Sequence, residues 1–502
     1  MAPADPEVRT SSGGVRGSIE NGVAVFRGIP FAKPPIGALR FRAPEPPQSW
    51  EGVRDAVAFG PPAPQAAFPG APPIPPERIA SGEWLSVNVW TPDPGAAGLP
   101  VMVWIHGGAY LFGSSADPCS DGGRFANAGA VLVSCNYRLG VEGFAQIPGT
   151  PANRGLLDLV AALRWVAENI AAFGGDPANV TVFGESAGAG VISALLAVDS
   201  ARGLFRRAIA QSVPGTFFTP DLAADITAAI AATAGVPATF EAFASTEPMR
   251  LVEASMSVTG RMRQFPRWGA VRLTDTPFSP VVDGEVLPRA PWRALLSGAA
   301  RDVELLTGHN RDEYRLFIAA SGRLGKISDD EAATVLDNFA PAPDGPAGYR
   351  KSYPEADSGR LFELVFSDWL FRMPSLHLAQ AHAASGGRTF LYELVAEAPA
   401  GGGVFGACHV LDVPLVFGIW GQGIGAVLTG DQPPADFAAV GDLMRSEWLR
   451  FAACGEPGWP VYGTERRMTR VYDLQPDVTP YPEEASMHLW ERHQFDTLGL
   501  VG

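Results

Sequence analysis

Val180-Thr181-Val182-Phe183-Gly184-Glu185-Ser186-Ala187-Gly188 is the stretch that decides how the rest of the chain is read. The apolar and β-branched residues before Gly184 predict a strand, and the small-residue run after Ser186 predicts a helix directly behind it. Between them a G-x-S-x-G pattern must turn the chain sharply, which lifts a serine hydroxyl clear of the strand end. Side chains at the two glycine positions would collide with neighbouring backbone. The helix N-terminus adds positive potential where an oxyanion would form. With the strand before it, the helix behind it and Phe173-Gly174-Gly175-Asp176-Pro177 upstream, the pattern is specific, and Ser186 is expected to be a nucleophile.

Working outward, other short runs share the character of 180–183. They are residues 101–105, 130–133, 303–307 and 389–395, apolar without strict alternation. Such strands are buried on both faces, which predicts a mostly parallel central sheet flanked by helices. Residues 155–172 carry Leu156, Leu159, Val160, Leu163, Val166 and Ile170 at helical spacing, a βαβ connection. The fold class is α/β. Near the N-terminus, residues 14–17 and 22–27 read as a hairpin at an antiparallel edge. The proline-rich stretch 59–76 reads as a surface loop, a candidate rim of the site entrance. Residues 220–265 and 315–385 are rich in helix formers and are expected to make helical excursions over the sheet. No repeat or linker interrupts the chain, so residues 1–502 are expected to be one unit.

Bulk properties exclude several functions. A net charge of -15 and the lack of a Lys/Arg run argue against a nucleic-acid partner. The start Met1-Ala2-Pro3-Ala4-Asp5-Pro6 has neither a basic n-region nor an apolar h-region, so no signal peptide is expected there, and no stretch has the length of a membrane span. Cys119, Cys135, Cys408 and Cys454 show no C-x-x-C spacing. A cytoplasmic protein with free thiols and no membrane association is expected.

A serine nucleophile needs donors for the oxyanion, a base, and an acid to orient the base. His106-Gly107-Gly108-Ala109 follows the run 101–105, and its N–H groups can aim at a carbonyl oxygen. Gly108, Ala109 and Ala187 are the candidate donors, with His106 a structural support. In this elbow class the order is Ser, then Asp or Glu, then His. His377 and His382 sit in a helix-like stretch, and His488 and His493 in a polar tail. His409, in the loop Gly406-Ala407-Cys408-His409 beyond the run 389–395, is the candidate base. The acid belongs in His309-Asn310-Arg311-Asp312-Glu313, beyond the run 303–307. The residues alone leave Asp312 and Glu313 tied.

Other stretches carry a resemblance across nearly the whole chain. Gly14-Val15-Arg16-Gly17, Phe26 through Ala32, Pro34-Pro35-Ile36-Gly37 and Leu39-Arg40-Phe41 stand near the start. Leu85 to Trp90, Asn136-Tyr137-Arg138-Leu139-Gly140, and Trp165 through Gly188 follow. Trp448, Phe451-Ala452, Gly455-Glu456-Pro457 and Trp459-Pro460 close the series. Together they resemble the type-B carboxylesterase family, which includes bacterial p-nitrobenzyl esterases and the cholinesterases. The resemblance implies an α/β-hydrolase fold with helical excursions over the active site. It implies Glu313 as the acid, because the family's loop reads Asn-x-Asp-Glu, and His409 as the base. Glu185 and Ser212 would support the histidine. Two departures stand out. Trp84 occupies a place where many relatives carry a cysteine, and Ala109 stands where many have a third glycine, so very bulky acids or tertiary alcohols are not expected to fit.

The expected chemistry is hydrolysis of small to medium, largely apolar carboxylic esters through an acyl-enzyme by a Ser-Glu-His triad. Alternatives are an acyltransferase using the same acyl-enzyme and a non-catalytic binding relative. No metal or cofactor is implied; the partner is a small-molecule ester, and the chain is expected to act as a monomer. Phe217, Phe218, Phe278 and Phe317 are candidate pocket aromatics.

Overall fold

The computed structural model describes residues 5–67, 76–342 and 344–502. Its main sheet has 11 strands. Read across, they are Asp477–Pro480, Met468–Tyr472, Thr389–Leu394, Glu304–Asn310, Arg207–Gln211, Gly175–Glu185, Leu99–Ile105, Val131–Cys135, Ser86–Thr91, Val23–Pro30 and Ser18–Glu20. From Met468–Tyr472 to Val131–Cys135 every neighbouring pair is parallel. Both ends are finished by antiparallel strands. The five apolar runs of the sequence each fall, to within one residue, on a strand of this parallel centre.

Why those runs lack alternation is visible in the packing. Val101, Val103, Ile105, Val180 and Val182 pack on one face with Leu156, Leu159, Leu163 and Val166 of the helix Arg154–Asn169. Met102, Trp104, Phe183, Ile209 and Leu306 pack on the other, against Met444, Trp448 and Phe451 of the helix Ala435–Cys454. Successive side chains alternate between faces, and both faces are covered, so apolar residues occur on both without alternation. Each such burial is worth about 1.5–3 kcal/mol relative to exposure.

Beyond the strand Val131–Cys135, Arg138 is fully enclosed. Its Nε donates to Asp158 Oδ2 at 2.8 Å and a terminal nitrogen donates to Oδ1 at 2.6 Å, and Asp158 is equally buried. This pair ties the strand end to the crossover helix.

Two expectations are corrected. The strand Gly13–Arg16 does not form a hairpin with Val23–Pro30. It joins a separate three-stranded sheet with Glu7–Thr10 and Val53–Asp55, and Ser18–Glu20 pairs with Val23–Pro30 instead. Gly13 needs φ 154, and a side chain there would strike the Trp50 ring. The described part of the proline-rich stretch is more buried than a surface loop: Pro61, Ala63, Pro64 and Gln65 are buried and Ala67 is exposed, while 68–75 lie outside the described residues. Gln65 instead exchanges two hydrogen bonds with the backbone of Gly113.

The helical excursions form as expected: Pro220–Ala234, Phe240–Ser245 and Pro248–Thr259, then Arg315–Ala320, Asp329–Phe339, Gly345–Ser352, Ser358–Ser367 and Met373–Ala384. A π-helical turn, Asp368–Arg372, joins the last two. Among the described residues no helix is long and apolar enough to cross a membrane.

Candidate active site

The strand Gly175–Glu185 ends at Ser186, whose backbone turns to φ 56, ψ -124 before the helix Ala187–Leu195 begins. That conformation is costly for a residue with a Cβ and persists only where the surroundings impose it. Here the Ser186 N–H donates to the Gln211 carbonyl at 2.9 Å, and the Gly190 N–H donates to the Ser186 carbonyl. The flanking glycines are required by close approach: a Cβ at Gly184 would lie 2.5 Å from the Ile105 carbonyl oxygen, and one at Gly188 only 2.1 Å.

The neighbouring parallel strands deliver the other groups to the same sheet edge. Arg207–Gln211 leads into Ser212, Glu304–Asn310 into Glu313, and the segment after Thr389–Leu394 carries His409. His409 Nδ1 and Glu313 Oε2 are 2.6 Å apart, and both side chains are buried. The second Glu313 oxygen accepts from Ser212 Oγ at 2.6 Å and from the Asn310 N–H at 2.8 Å. The carboxylate is therefore fixed on both sides. Asp312 faces away, held by Arg311 and Arg360.

On the other side of the ring, His409 Nε2 lies 3.1 Å from Glu185 Oε1. This nitrogen has no hydrogen bond of acceptable geometry among the described residues, from Ser186 or any other group. Burial raises the Glu185 carboxyl to about 8, partly offset by His409. Burial also opposes a charge on His409, but Glu185, Glu313 and Asp412 outweigh it and push the imidazole up to about 9. A buried carboxyl and a buried imidazole this close titrate as a pair. Asp412, shifted upward by its own burial, accepts from Gln211 Nε2 and the Tyr392 hydroxyl at 2.8 and 2.9 Å.

The loop after Leu99–Ile105 brings Gly107 against Glu185 and Ser186: a Cβ there would lie 3.2 Å from Ser186 Cβ. Gly108 has φ 108 and Ala109 φ 54, the latter a left-handed conformation unusual for a residue with a methyl group. Among the described residues the N–H groups of Gly108, Ala109 and Ala187 donate to no other backbone group. His106 stacks on Tyr137 with centroids 4.6 Å apart, and burial depresses its pKa to about 4. It is a neutral packing residue.

Of the aromatics singled out, Phe217, Phe218 and Phe278 belong to the buried core, whereas Phe317 is 37% exposed. Phe317 lies beside the His409 ring, centroids 5.3 Å apart. Sequence reasoning missed Phe371, which the π-helical turn stacks on His409 at 4.1 Å. It also missed Asp412, whose one local cue is its place three residues after His409.

Comparison with known proteins matches this architecture. The model of the carboxylesterase family covers residues 4–490. A para-nitrobenzyl esterase of Bacillus subtilis is 36% identical over 95% of this chain and 96% of its own. A phenmedipham hydrolase of Pseudarthrobacter oxydans is 34% identical over 91% and 93%. The crystal structure of a Geobacillus stearothermophilus carboxylesterase superimposes with a TM-score of 0.84 at 35% identity, covering 96% of this chain and 99% of that one. The fold is therefore the α/β-hydrolase fold of these carboxylesterases. The chain belongs to the carboxylesterase family and is a carboxylic-ester hydrolase.

Proposed function

We propose that Ser186, His409 and Glu313 form the catalytic triad of this hydrolase. The observation that carries the reading is the buried 2.6 Å contact between Glu313 and His409 beside the strained backbone of Ser186. Glu313 holds the tautomer in which Nδ1 carries the proton, leaving Nε2 free to accept one. Ser186 attacks the ester carbonyl as Nε2 takes its proton, and the N–H groups of Gly108, Ala109 and Ala187 hold the oxyanion. His409 then protonates the leaving alcohol, and water releases the acid by the same route. The missing Ser186–His409 hydrogen bond fits a free enzyme, since such bonds tighten when substrate binds.

Ser212 orients Glu313, and Glu185 tunes the charge on His409. The exposed Phe317 beside His409 supports small to medium, largely apolar esters as substrates. Hydrolysis of p-nitrophenyl acetate, butyrate and octanoate by wild type and Ser186→Ala tests the assignment. In a comparable triad, loss of the serine costs about 2 × 10⁶ in kcat. A folded variant with near-normal turnover would overturn the triad.

A further inference from the structure

The segments that carry Glu313 and His409 are joined by a compact set of hydrogen bonds. The Asp312 N–H donates to the Ala407 carbonyl at 2.9 Å, and the His409 N–H donates to the Glu313 carbonyl at 3.2 Å. Asn310 Nδ2 donates to the Cys408 carbonyl at 2.7 Å. The fourth bond is from a backbone N–H to a side chain: the Ala407 N–H donates to Asp312 Oδ2 at 3.1 Å. Asp312 thus closes a reciprocal pair with Ala407, two residues before His409.

The same carboxylate is anchored from outside. Arg311 donates to Oδ2 through Nε and a terminal nitrogen at 3.1 and 2.8 Å, and Arg360, from the helix Ser358–Ser367, donates to Oδ1 at 3.0 Å. Arg360 also pairs with Glu363, which in turn pairs with Arg315. Asp312 is only 2% exposed, yet these arginines hold it ionised, overcoming burial and depressing its pKa to about 2. Room for it is cut from the histidine loop itself. Gly406 sits at φ 58, and a Cβ there would come 2.7 Å from Asp312 Oδ2.

We propose that Asp312 is a positioning residue: its arginine-held carboxylate pins the Ala407 backbone and so sets the distance between Glu313 and His409. The inference rests on the triad reading. Charge-assisted hydrogen bonds to three different elements define a carboxylate position more tightly than a neutral side chain could. A displacement of about 1 Å in a catalytic pair is enough to cost about 10²-fold in rate. Asp312→Ala leaves the buried Ala407 N–H without an acceptor and leaves Arg311 and Arg360 with only their outer partners, Glu397 and Glu363. Asp312→Asn keeps an acceptor for that N–H while weakening the hold of the arginines.

The test measures kcat, KM and the pH dependence of kcat for p-nitrophenyl butyrate, per active site titrated with a stoichiometric organophosphate. Asp312→Ala should lower kcat by about 10²-fold with KM nearly unchanged. Its acid limb should move to lower pH, because a looser Glu313 stabilises the imidazolium less. Asp312→Asn should recover part of the rate. Should Asp312→Ala fail to fold, Asp312→Asn and Arg360→Gln, each expected to shift the limb in the same direction by less, decide the matter. Rates per titrated site and acid limbs matching wild type in the folded variants would overturn the clamp and leave the triad standing. Turnover by Ser186→Ala, run alongside, would overturn the triad itself.

Discussion

Replacing Glu185 by glutamine tests how the buried charges around His409 set the working pH. The side chain keeps its size but loses a charge 3.1 Å from His409 Nε2. Unit charges at that distance attract by about 5 kcal/mol at an effective dielectric constant of ~20. This is equivalent to about four pH units in the imidazole midpoint. The two groups titrate as a pair, and the burial cost of keeping Glu185 charged, which raises its carboxyl to about 8, offsets much of this attraction. A net fall of about one to two pH units is expected in the variant.

The direction follows from which form of His409 works. The imidazole is raised to about 9, so it retains its proton at neutral pH and becomes a base only as pH rises towards that value. Wild-type kcat/KM should therefore climb through the mildly alkaline range. Glu185→Gln should reach its plateau at lower pH. Initial rates with p-nitrophenyl butyrate at constant ionic strength, across the acid to alkaline range, give both curves. An acid limb that stays in place, or moves to higher pH, refutes the argument that Glu185 holds the proton on His409.

Two stability predictions follow from packing. Asp158→Ala strands the fully buried Arg138 guanidinium and should cost about 3–5 kcal/mol in a denaturant titration, the range for breaking a buried pair. Gly188→Ala places a Cβ 2.1 Å from the Ile105 carbonyl oxygen. Expression, circular dichroism and turnover should show a destabilised protein with the elbow displaced, and a fully active, equally stable variant would contradict the packing described.

What the sequence revealed depended on how local each cause was. Five strands of the parallel centre were legible because a strand covered on both faces is mostly apolar without alternation, whereas Arg207–Gln211 and Met468–Tyr472, which include polar and charged residues, carried no such run. The serine elbow was legible because its glycines answer clashes with one neighbouring strand. The N-terminal hairpin was misread because Gly13–Arg16 finds a partner in Val53–Asp55, and nothing near residue 14 announces that pairing. Pro61 to Gln65 lack periodicity because they are buried through contacts with Asn136 and Gly113. Asp312 and Glu313 were inseparable by residue type. They are distinguished by Arg360 and His409, brought to opposite sides of the loop by elements far along the chain.

The site stands on the ends of adjacent parallel strands, and that arrangement has a consequence for how activity arises during folding. Glu313 and His409 are 96 positions apart, and Ser212 and Glu313 are 101 apart. No single helix, hairpin or βαβ unit contains two of the three proposed catalytic groups. The entropy of closing these long loops must be met before any catalytic contact forms, and parallel pairing is intrinsically slow for that reason. Esterase competence is thus a property of the finished sheet: a chain with its helices formed but its strand order incomplete holds a serine, a histidine and a glutamate that have not yet met.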